Sequence, residues 1–314
     1  MTLDEKVIAL STDPSVPRLG VHGTGHVEGL HGLALGGPAN WGGKDKEPVP
    51  TTTFPQAYGL GETWDTELVK KVAETEGYET RYIFEKYQRG GLVVRAPNAD
   101  LARDPRWGRT EESFGEDAFF TGTMAVSFIK GLQGSDRNYW QTASLMKHFL
   151  ANSNEDGRTY TSSDFNERLW REYYSLPFKM GVMDGGSRAY MAAYNKVNGI
   201  PAMVHPMLRE ITEKEWGQNG IICTDGGAYK LLMSDHKYYP DKYLAAAAVI
   251  EAGINQFLDE YTEGVYGALA NGYINESDID HVLKGVYRVM INLGQLDADE
   301  QNPYKKIVST GNMD

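Results

Sequence analysis

The sequence contains a single cysteine among its 314 residues, Cys223. One thiol excludes an intramolecular disulfide, and it also excludes zinc and iron–sulfur sites built from several cysteines. Cys223 stands in the apolar segment Gly-Ile-Ile-Cys-Thr, which predicts a buried, inert side chain. No other pattern suggests a bound group, so we expect neither a metal site nor a cofactor.

Long apolar runs and an excess of basic residues are also absent. The longest apolar stretches, such as residues 244–250, are far shorter than the 18 or more residues of a membrane span, so no membrane partner is expected. Lys and Arg number 31 against 43 Asp and Glu, a formal net charge of −12. Binding to nucleic acid through its phosphates requires a basic surface, so no nucleic-acid partner is expected either.

The first residues, Met-Thr-Leu-Asp-Glu-Lys, have neither the basic segment nor the apolar segment of a secretory signal. The compartment is therefore left open. The protein is cytoplasmic if the chain never carried a signal, and periplasmic or secreted if one was removed.

From about residue 65 onward, amphipathic helical stretches alternate with short apolar runs, which is typical of βα units around a parallel sheet. We predict an α/β fold, a (β/α)₈ TIM-type barrel with irregular first strands. The predicted helices cover residues 65–89, 116–132, 164–183, 206–216, 243–252 and 278–293, and the predicted strands cover 91–96, 142–147, 187–193 and 220–224. The barrel domain is expected to span residues 1–296, with a loop-rich part at 11–63, followed by a linker-like tail at 297–314 without the usual second domain.

Polar residues follow several of these strands at the places where reactive groups of such barrels lie. Lys147 and His148, Tyr194, and Asp225 each fall at the carboxyl end of a predicted strand. A dense group of charges at residues 103–117 follows another strand. Taken alone, the charged group favours a solvated, salt-bridged loop, and Lys147-His148 favours a structural histidine beside a surface lysine.

Their combination is more specific. Asp-Pro-Arg-Trp-Gly-Arg, Gly-Glu-Asp, Lys-His-Phe-Leu-Ala-Asn, Ala-Tyr-Asn-Lys-Val-Asn-Gly and Cys-Thr-Asp-Gly-Gly-Ala occur in this order. Together they resemble glycoside hydrolase family 3 over nearly the whole chain. The segments Glu-Gly-Leu-His-Gly and Thr-Phe-Pro-Gln are most similar to its β-xylosidase and β-glucosidase members.

The resemblance implies a retaining mechanism, in which a carboxylate attacks the anomeric carbon and water then releases the sugar from a glycosyl-enzyme. Asp225 occupies the position of the family's nucleophile. The sugar contacts of the family carry over to Glu28, Arg109, Lys147, His148, Arg158 and Tyr194. We expect Arg109, Lys147, His148 and Arg158 to converge on one ring of a β-linked oligosaccharide or aryl glycoside, whereas Arg106, His31 and His205 are expected to be structural.

The chain departs from the family's pattern at three points. Gly226 replaces the tryptophan that usually follows the nucleophile, which removes an aromatic wall from the place where the leaving group stacks. Asn255 stands where an aspartate is usual. No counterpart exists for the glutamate that a second domain supplies as general acid/base, nor for the histidine that single-domain hexosaminidases of the family use.

The prediction is therefore an exo-acting β-glycosidase domain for terminal β-linked glucose or xylose, with its acid/base supplied by a separate or removed domain. If a donor lies within the chain, Glu111, Glu112 and Glu155 are the first candidates. The alternative is a carbohydrate-binding barrel without turnover. A barrel of the aldolase type, with Lys147 forming a Schiff base, is a third interpretation.

Overall fold

The computed structural model describes residues 1–35 and 49–313. The Gly-Gly-Pro segment and Pro48 of the predicted loop-rich region lie outside the described residues. The α-helices are α1 (Leu3–Ile8), α2 (Ala57–Gly61), α3 (Thr66–Tyr87), α4 (Ala118–Gln133), α5 (Glu167–Leu169), α6 (Leu176–Met183), α7 (Ala228–Ser234), α8 (Lys242–Glu251), α9 (Thr262–Ala270), α10 (Glu276–Asn292) and α11 (Ile307–Thr310). The strands are β1 (His26–Glu28), β2 (Val93–Arg95), β3 (Ala143–Ser144), β4 (Met146–Phe149), β5 (Ser162–Ser163), β6 (Ala189–Ala192), β7 (Lys196–Val197), β8 (Ile200–Pro201) and β9 (Ile221–Cys223).

The strands pair mainly in parallel, as predicted for an α/β fold. One sheet has the order β1-β2-β3 and a second has the order β4-β6-β9, both parallel throughout. Isolated parallel bridges join Asn98 to Lys147, Cys223 to Gln256 and Ser11 to Phe257. Parallel pairing of the main chain therefore continues beyond the two sheets. The strand pairs recorded for residues 1–35 and 49–313 do not form a closed ring of eight, so the closed barrel stays a prediction.

The helix boundaries follow from local capping. Asp65 accepts hydrogen bonds from the main-chain N–H groups of Glu67 and Leu68 and so starts α3, and Asp117 caps α4 in the same way. Helix α3 ends at Tyr87, its C-cap Gln88 has a left-handed backbone, and Gly90 adopts a φ of +70° just beyond it.

Two predicted helices are interrupted in the structure. The one predicted at 164–183 starts at Glu167 and passes through a wide, π-helical turn at Trp170–Tyr174 before α6. Pro177 has no N–H to donate to the preceding turn, so a regular helix cannot run through this position. The one predicted at 206–216 is likewise a π-helix at Leu208–Glu213, because main-chain N–H groups there donate to carbonyls five residues back, as from Trp216 to Ile211.

The main hydrophobic core lies between the second sheet and the helices that cover it. Phe149, at the end of β4, is fully buried and has ring contacts with Trp170, Phe178, Tyr190 and Trp216 at centroid distances of 5.0 to 6.2 Å. A smaller core packs α3 and α4 against the loop that follows β1. The rigid core therefore ends directly below the carboxyl ends of the strands.

The tail packs on α3. The hydroxyl of Tyr78 donates to the carbonyl of Asn312 at 3.0 Å, and Lys305 pairs with Glu85 at 3.1 Å. Arg81 on the same helix is fully buried and donates to the carbonyl of Leu293 at 2.7 Å. The predicted domain boundary at 296 and the role of the tail as a linker stay predictions.

Replacing Arg81 with Met is expected to lower the free energy of unfolding by about 2 kcal/mol, because Glu85 and the carbonyl of Leu293 each lose a charged donor and keep a second one, Lys305 and Asn302 respectively. Urea denaturation measures the change. Lys70→Met on the same helix is the matched control. Its partner Glu74 lies 3.6 Å away and both side chains are exposed, so a loss below about 0.5 kcal/mol is expected. Equal stability of Arg81→Met and the unaltered chain would contradict the prediction.

Candidate active site

The parallel strands deliver charged side chains to one edge of the fold. Glu28 and Arg95 are the last residues of β1 and β2, Lys147 and His148 lie within β4, and Asp225 follows β9. Since parallel strands end at the same edge, residues far apart in the chain meet there. The resulting cavity has a volume of about 860 Å³.

Asp225 is held by a turn between β9 and α7. Thr224 accepts a hydrogen bond from the N–H of Leu258 at 2.9 Å, and Gly227 has a φ of +75° just before the helix begins at Ala228. A left-handed residue at this point favours glycine. The turn thereby presents the carboxylate at the strand end.

The two carboxylate oxygens of Asp225 differ in their surroundings. Oδ1 accepts from the N–H of Gly226 at 2.7 Å, whereas Oδ2 is buried and has no hydrogen-bond partner among the described residues. Burial raises the pKa of Asp225, against the opposing effect of that N–H and of Lys147, Arg109 and Arg158. An oxygen that is desolvated and unoccupied is available to a bound molecule.

Glu28 lies between two cations. Its Oε2 accepts from Nζ of Lys147 at 2.7 Å and its Oε1 from Nη1 of Arg95 at 2.9 Å. Burial opposes ionisation, but Lys147 and Arg95 together hold the pKa of Glu28 below its usual range. Arg95 also reaches His26 at 3.4 Å, and His26 pairs with Gln256 at 2.8 Å, so the side chains of three strands are joined.

The opposite wall is a second ionic network. Arg109 donates to both oxygens of Glu112, at 3.0 and 2.6 Å, and its Nη1 lies 3.7 Å from Glu155. Glu155 in turn pairs with Arg158 at 2.7 Å. The guanidinium of Arg158 lies 4.5 Å from the ring centre of Tyr194, whose hydroxyl donates to the carbonyl of Gly226. Burial, and then Asp225, raise the pKa of Tyr194, so the hydroxyl stays protonated.

His148 is buried between two carboxylates. Its Nδ1 lies 3.0 Å from Oδ2 of Asp100, and its Nε2 lies 3.8 Å from Oδ2 of Asp225. Burial lowers the pKa of His148, and the nearby Arg109, Lys147 and Arg158 act in the same direction. The ring is therefore held by Asp100 and faces Asp225.

All seven predicted site residues line this one cavity: Glu28, Arg109, Lys147, His148, Arg158, Tyr194 and Asp225. His31 lines it as well. Arg106 is exposed, pairs with Asp104 at 2.6 Å and does not line it. His205 accepts from the N–H of Met207 at 3.1 Å and lies elsewhere.

Comparisons with known proteins identify the family of this chain. The model of the glycosyl hydrolase family 3 N-terminal domain matches residues 41–289. The chain belongs to this family. It is similar to a probable β-D-xylosidase 7 from Arabidopsis thaliana, 34% identical over 98% of this chain and 42% of the relative, and to a periplasmic β-glucosidase from Salmonella typhimurium, 32% identical over 77% of this chain and 31% of the relative.

Solved structures of family 3 show the same fold. A GH3 exo-β-xylosidase in complex with a xylobiose aziridine activity-based probe matches with a TM-score of 0.88 and 26% identity, covering 98% of this chain and 41% of that one. A GH3 β-glucosidase from Bifidobacterium adolescentis matches with a TM-score of 0.76 and 26% identity, over 98% and 42%. The chain thus spans about two-fifths of the length of these proteins.

The two substitutions within the family 3 pattern have different structural contexts. Gly226 is exposed at the cavity, and a Cβ added there would lie 3.7 Å from the hydroxyl of Tyr194. Asn255 is buried below the sheet, where its amide nitrogen donates to the carbonyls of Gly220 and Val282 and its oxygen accepts from Ile222. An aspartate could not make both donations, so Asn255 is a structural residue of this chain.

Sequence reasoning did not select four residues that build the site. Arg95 binds Glu28, and Asp100 binds His148. Glu112 binds Arg109, and Glu155 binds Arg158, although the sequence had suggested these two glutamates only as alternative proton donors. Arg95 could have been found, because it stands at the end of the predicted strand 91–96. The other three lie in loops, where a carboxylate gives no sign of its partner.

Burial raises the pKa of Asp225, so its ionised form is less stable in the folded chain than in the unfolded chain. Ionisation of Asp225 therefore lowers the free energy of unfolding, and this loss grows as pH rises through the titration of the carboxyl group. Asp225→Asn should therefore increase the free energy of unfolding at pH 7 by about 1 kcal/mol. The gain should vanish below about pH 4, where aspartate is protonated in the unfolded state too. Urea denaturation at both pH values measures it, with the exposed Asp184→Asn as control. A variant less stable than the original chain at pH 7 would refute the argument.

Proposed function

We propose that this chain is the sugar-binding, nucleophile-bearing domain of a retaining, exo-acting β-glycosidase that takes terminal β-linked xylose or glucose. The observation that carries the proposal is the unpartnered, buried Oδ2 of Asp225 in a cavity lined by hydroxyl-binding groups. The relatives named above as β-xylosidases and β-glucosidases suggest the two sugars.

Asp225 is assigned the role of nucleophile. Its free oxygen attacks the anomeric carbon, the leaving group departs, and water then hydrolyses the glycosyl-enzyme with overall retention. Burial raises the pKa of Asp225, and Lys147, Arg109 and Arg158 oppose that effect and so favour the attacking, ionised form. The combination of burial and nearby cations suits a nucleophile, since a desolvated carboxylate is more reactive than a hydrated one.

The remaining cavity residues are assigned to the sugar. Lys147, Arg109 and Arg158 are donors to hydroxyl oxygens, and Glu28 is an acceptor for hydroxyl protons. Lys147 is bound to Glu28 at 2.7 Å, which supports a charged, hydroxyl-binding amine rather than a Schiff-base lysine. Because residue 226 is glycine, no aromatic side chain stands at this position to stack on the leaving group. We infer that binding of the leaving group depends on polar contacts.

The general acid/base is proposed to come from outside the described residues. Glu112 accepts two hydrogen bonds from Arg109 and one from Asn98, and Glu155 pairs with Arg158. Both serve as acceptors for guanidinium groups and hold the cavity wall. Glu111 does not line the cavity. A separate or removed domain that supplies a carboxyl group would complete the reaction.

The architecture that we infer for the whole unit is the (β/α)₈ TIM-type barrel. The parallel sheets and the three parallel bridges that extend them support it. A non-catalytic carbohydrate-binding barrel would share these features and the cavity. The two functions differ in whether Asp225 forms a covalent bond.

A 2-deoxy-2-fluoro β-glycoside with an activated leaving group should label Asp225, because the fluorine slows hydrolysis of the glycosyl-enzyme and an activated group departs without a proton. Mass spectrometry of peptides locates the sugar. Asp225→Asn should take up no label, whereas Asp184→Asn should be labelled like the original chain. A sugar found on another carboxylate would disprove the nucleophile assignment, and an unlabelled protein that still binds the sugar would favour the binding barrel.

The isolated chain should release activated aryl β-glycosides slowly and disaccharides hardly at all, because general acid help is worth about 10²- to 10⁴-fold for a sugar leaving group. Azide should accelerate turnover of the aryl substrate, since it attacks the glycosyl-enzyme without a general base. The rates with and without azide are compared with those of a version extended through a following domain. Rapid, azide-independent hydrolysis of a disaccharide would show that a donor lies within these residues, with Glu112 and Glu155 the first to test.

A further inference from the structure

Asp100 does not line the cavity, yet it is bound to a residue that does. Its Oδ2 accepts from the main-chain N–H of His148 at 3.0 Å and lies 3.0 Å from Nδ1 of the same residue. The side chains of Asp100 and His148 are 1% and 2% exposed. The two residues therefore form one desolvated unit below the cavity floor.

The main chain sets the position of this unit. Ala99 donates to the carbonyl of Lys147 at 2.8 Å, and the N–H of Asp100 donates to Asn98 at 2.8 Å. The hydroxyl of Ser113 donates to the carbonyl of Asp100 at 2.7 Å. Asp100 is thus held against β4 independently of any ligand.

The charge of the unit decides which ring nitrogens carry protons. Burial raises the pKa of Asp100 to about 8 and lowers that of His148, so a unit without net charge is favoured at neutral pH. Such a unit holds two protons. One lies between Oδ2 of Asp100 and Nδ1 of His148, on either atom, and the other is then on Nε2.

The charged groups around the unit do not reverse this conclusion. The cations Arg109, Lys147 and Arg158 disfavour an extra positive charge on the ring, whereas Glu112 disfavours ionisation of Asp100. Arg109 acts the other way on Asp100, but burial is the largest effect. The remaining neighbour is Asp225, whose Oδ2 lies 3.8 Å from Nε2.

We propose that Asp100 is a positioning residue that keeps a proton on Nε2 of His148 and aims it at the unpartnered oxygen of Asp225. The distance of 3.8 Å between Nε2 and Oδ2 exceeds that of a hydrogen bond, so the Nε2–H group acts on the carboxylate electrostatically. The same N–H group can donate a hydrogen bond to a sugar hydroxyl placed beside the carboxylate. The catalytic consequence rests on the proposed function, but the protonation state does not.

Nitrogen-15 NMR of histidine-labelled protein tests the protonation state directly, because protonated and bare ring nitrogens resonate far apart. The His148 signals are identified by their loss in His148→Gln. At pH 7, Nε2 of His148 should be protonated in the original chain. A bare Nε2 would overturn the proposal without any variant of Asp100.

Asp100→Asn should change this state. The amide oxygen can accept both from the main-chain N–H and from Nδ1–H, which leaves the neutral ring with a bare Nε2. The bare nitrogen should appear in the spectrum, and glycosylation by an activated aryl glycoside should slow by roughly 10²-fold, the order expected when one preorganised hydrogen-bond donor is lost from the site. Asp104→Asn, at a half-buried position in the same loop that does not line the cavity, should change neither.

The outcomes separate the two proposals. A protonated Nε2 that becomes bare in Asp100→Asn, in a chain that never labels at Asp225, supports the positioning role and refutes the glycosidase function. A switch to bare Nε2 with an unchanged glycosylation rate refutes the catalytic consequence. An Nε2 that stays protonated in a folded Asp100→Asn chain refutes the role of Asp100.

Discussion

Burying charge is costly unless the charge is neutralised nearby, and this constraint shapes the site. Among the described residues that line the cavity, four cations (Arg95, Arg109, Lys147 and Arg158) face four carboxylates (Glu28, Glu112, Glu155 and Asp225). Three of the carboxylates are in direct ion pairs. Asp225 alone is neutralised at a distance, and its free oxygen is a consequence of that arrangement.

The pairing also links the cavity walls to one another. Glu28 joins β1 to β2 and β4 through Arg95 and Lys147. Away from the cavity floor, Glu79 on α3 accepts from the main-chain N–H of Thr52 at 2.9 Å and so secures the rim. Donors held in this way lose little freedom on binding, which supports the proposed recognition of a polyol. The proposed glycosidase reaction would use the same preorganisation to stabilise charge at the anomeric carbon.

The α/β class, the positions of the longer helices and of strands β2, β3, β6 and β9, and membership of family 3 could be predicted from the sequence because they depend on local periodicity and on ordered motifs. Helix α3 was placed within two residues at either end, since Asp65 caps it and glycines follow it. The π-helical turns before Pro177 and at 208–213 were not foreseen, because an apolar period near 3.6 does not reveal which carbonyl each N–H reaches. Closure of the barrel depends on pairings between distant strands and is not decided by local pattern.

The family motifs named seven of the residues that line the cavity, from Glu28 to Asp225, but not Arg95, which lines it as well. Only the tertiary structure decided their states. Burial of Asp225 against Tyr194 and His148, the network of Arg109, Glu112, Glu155 and Arg158, and the bond between Asp100 and His148 join residues that are up to 77 positions apart in the chain. Desolvation and the distance between charges are properties of the packed molecule, so no single stretch of sequence specifies them.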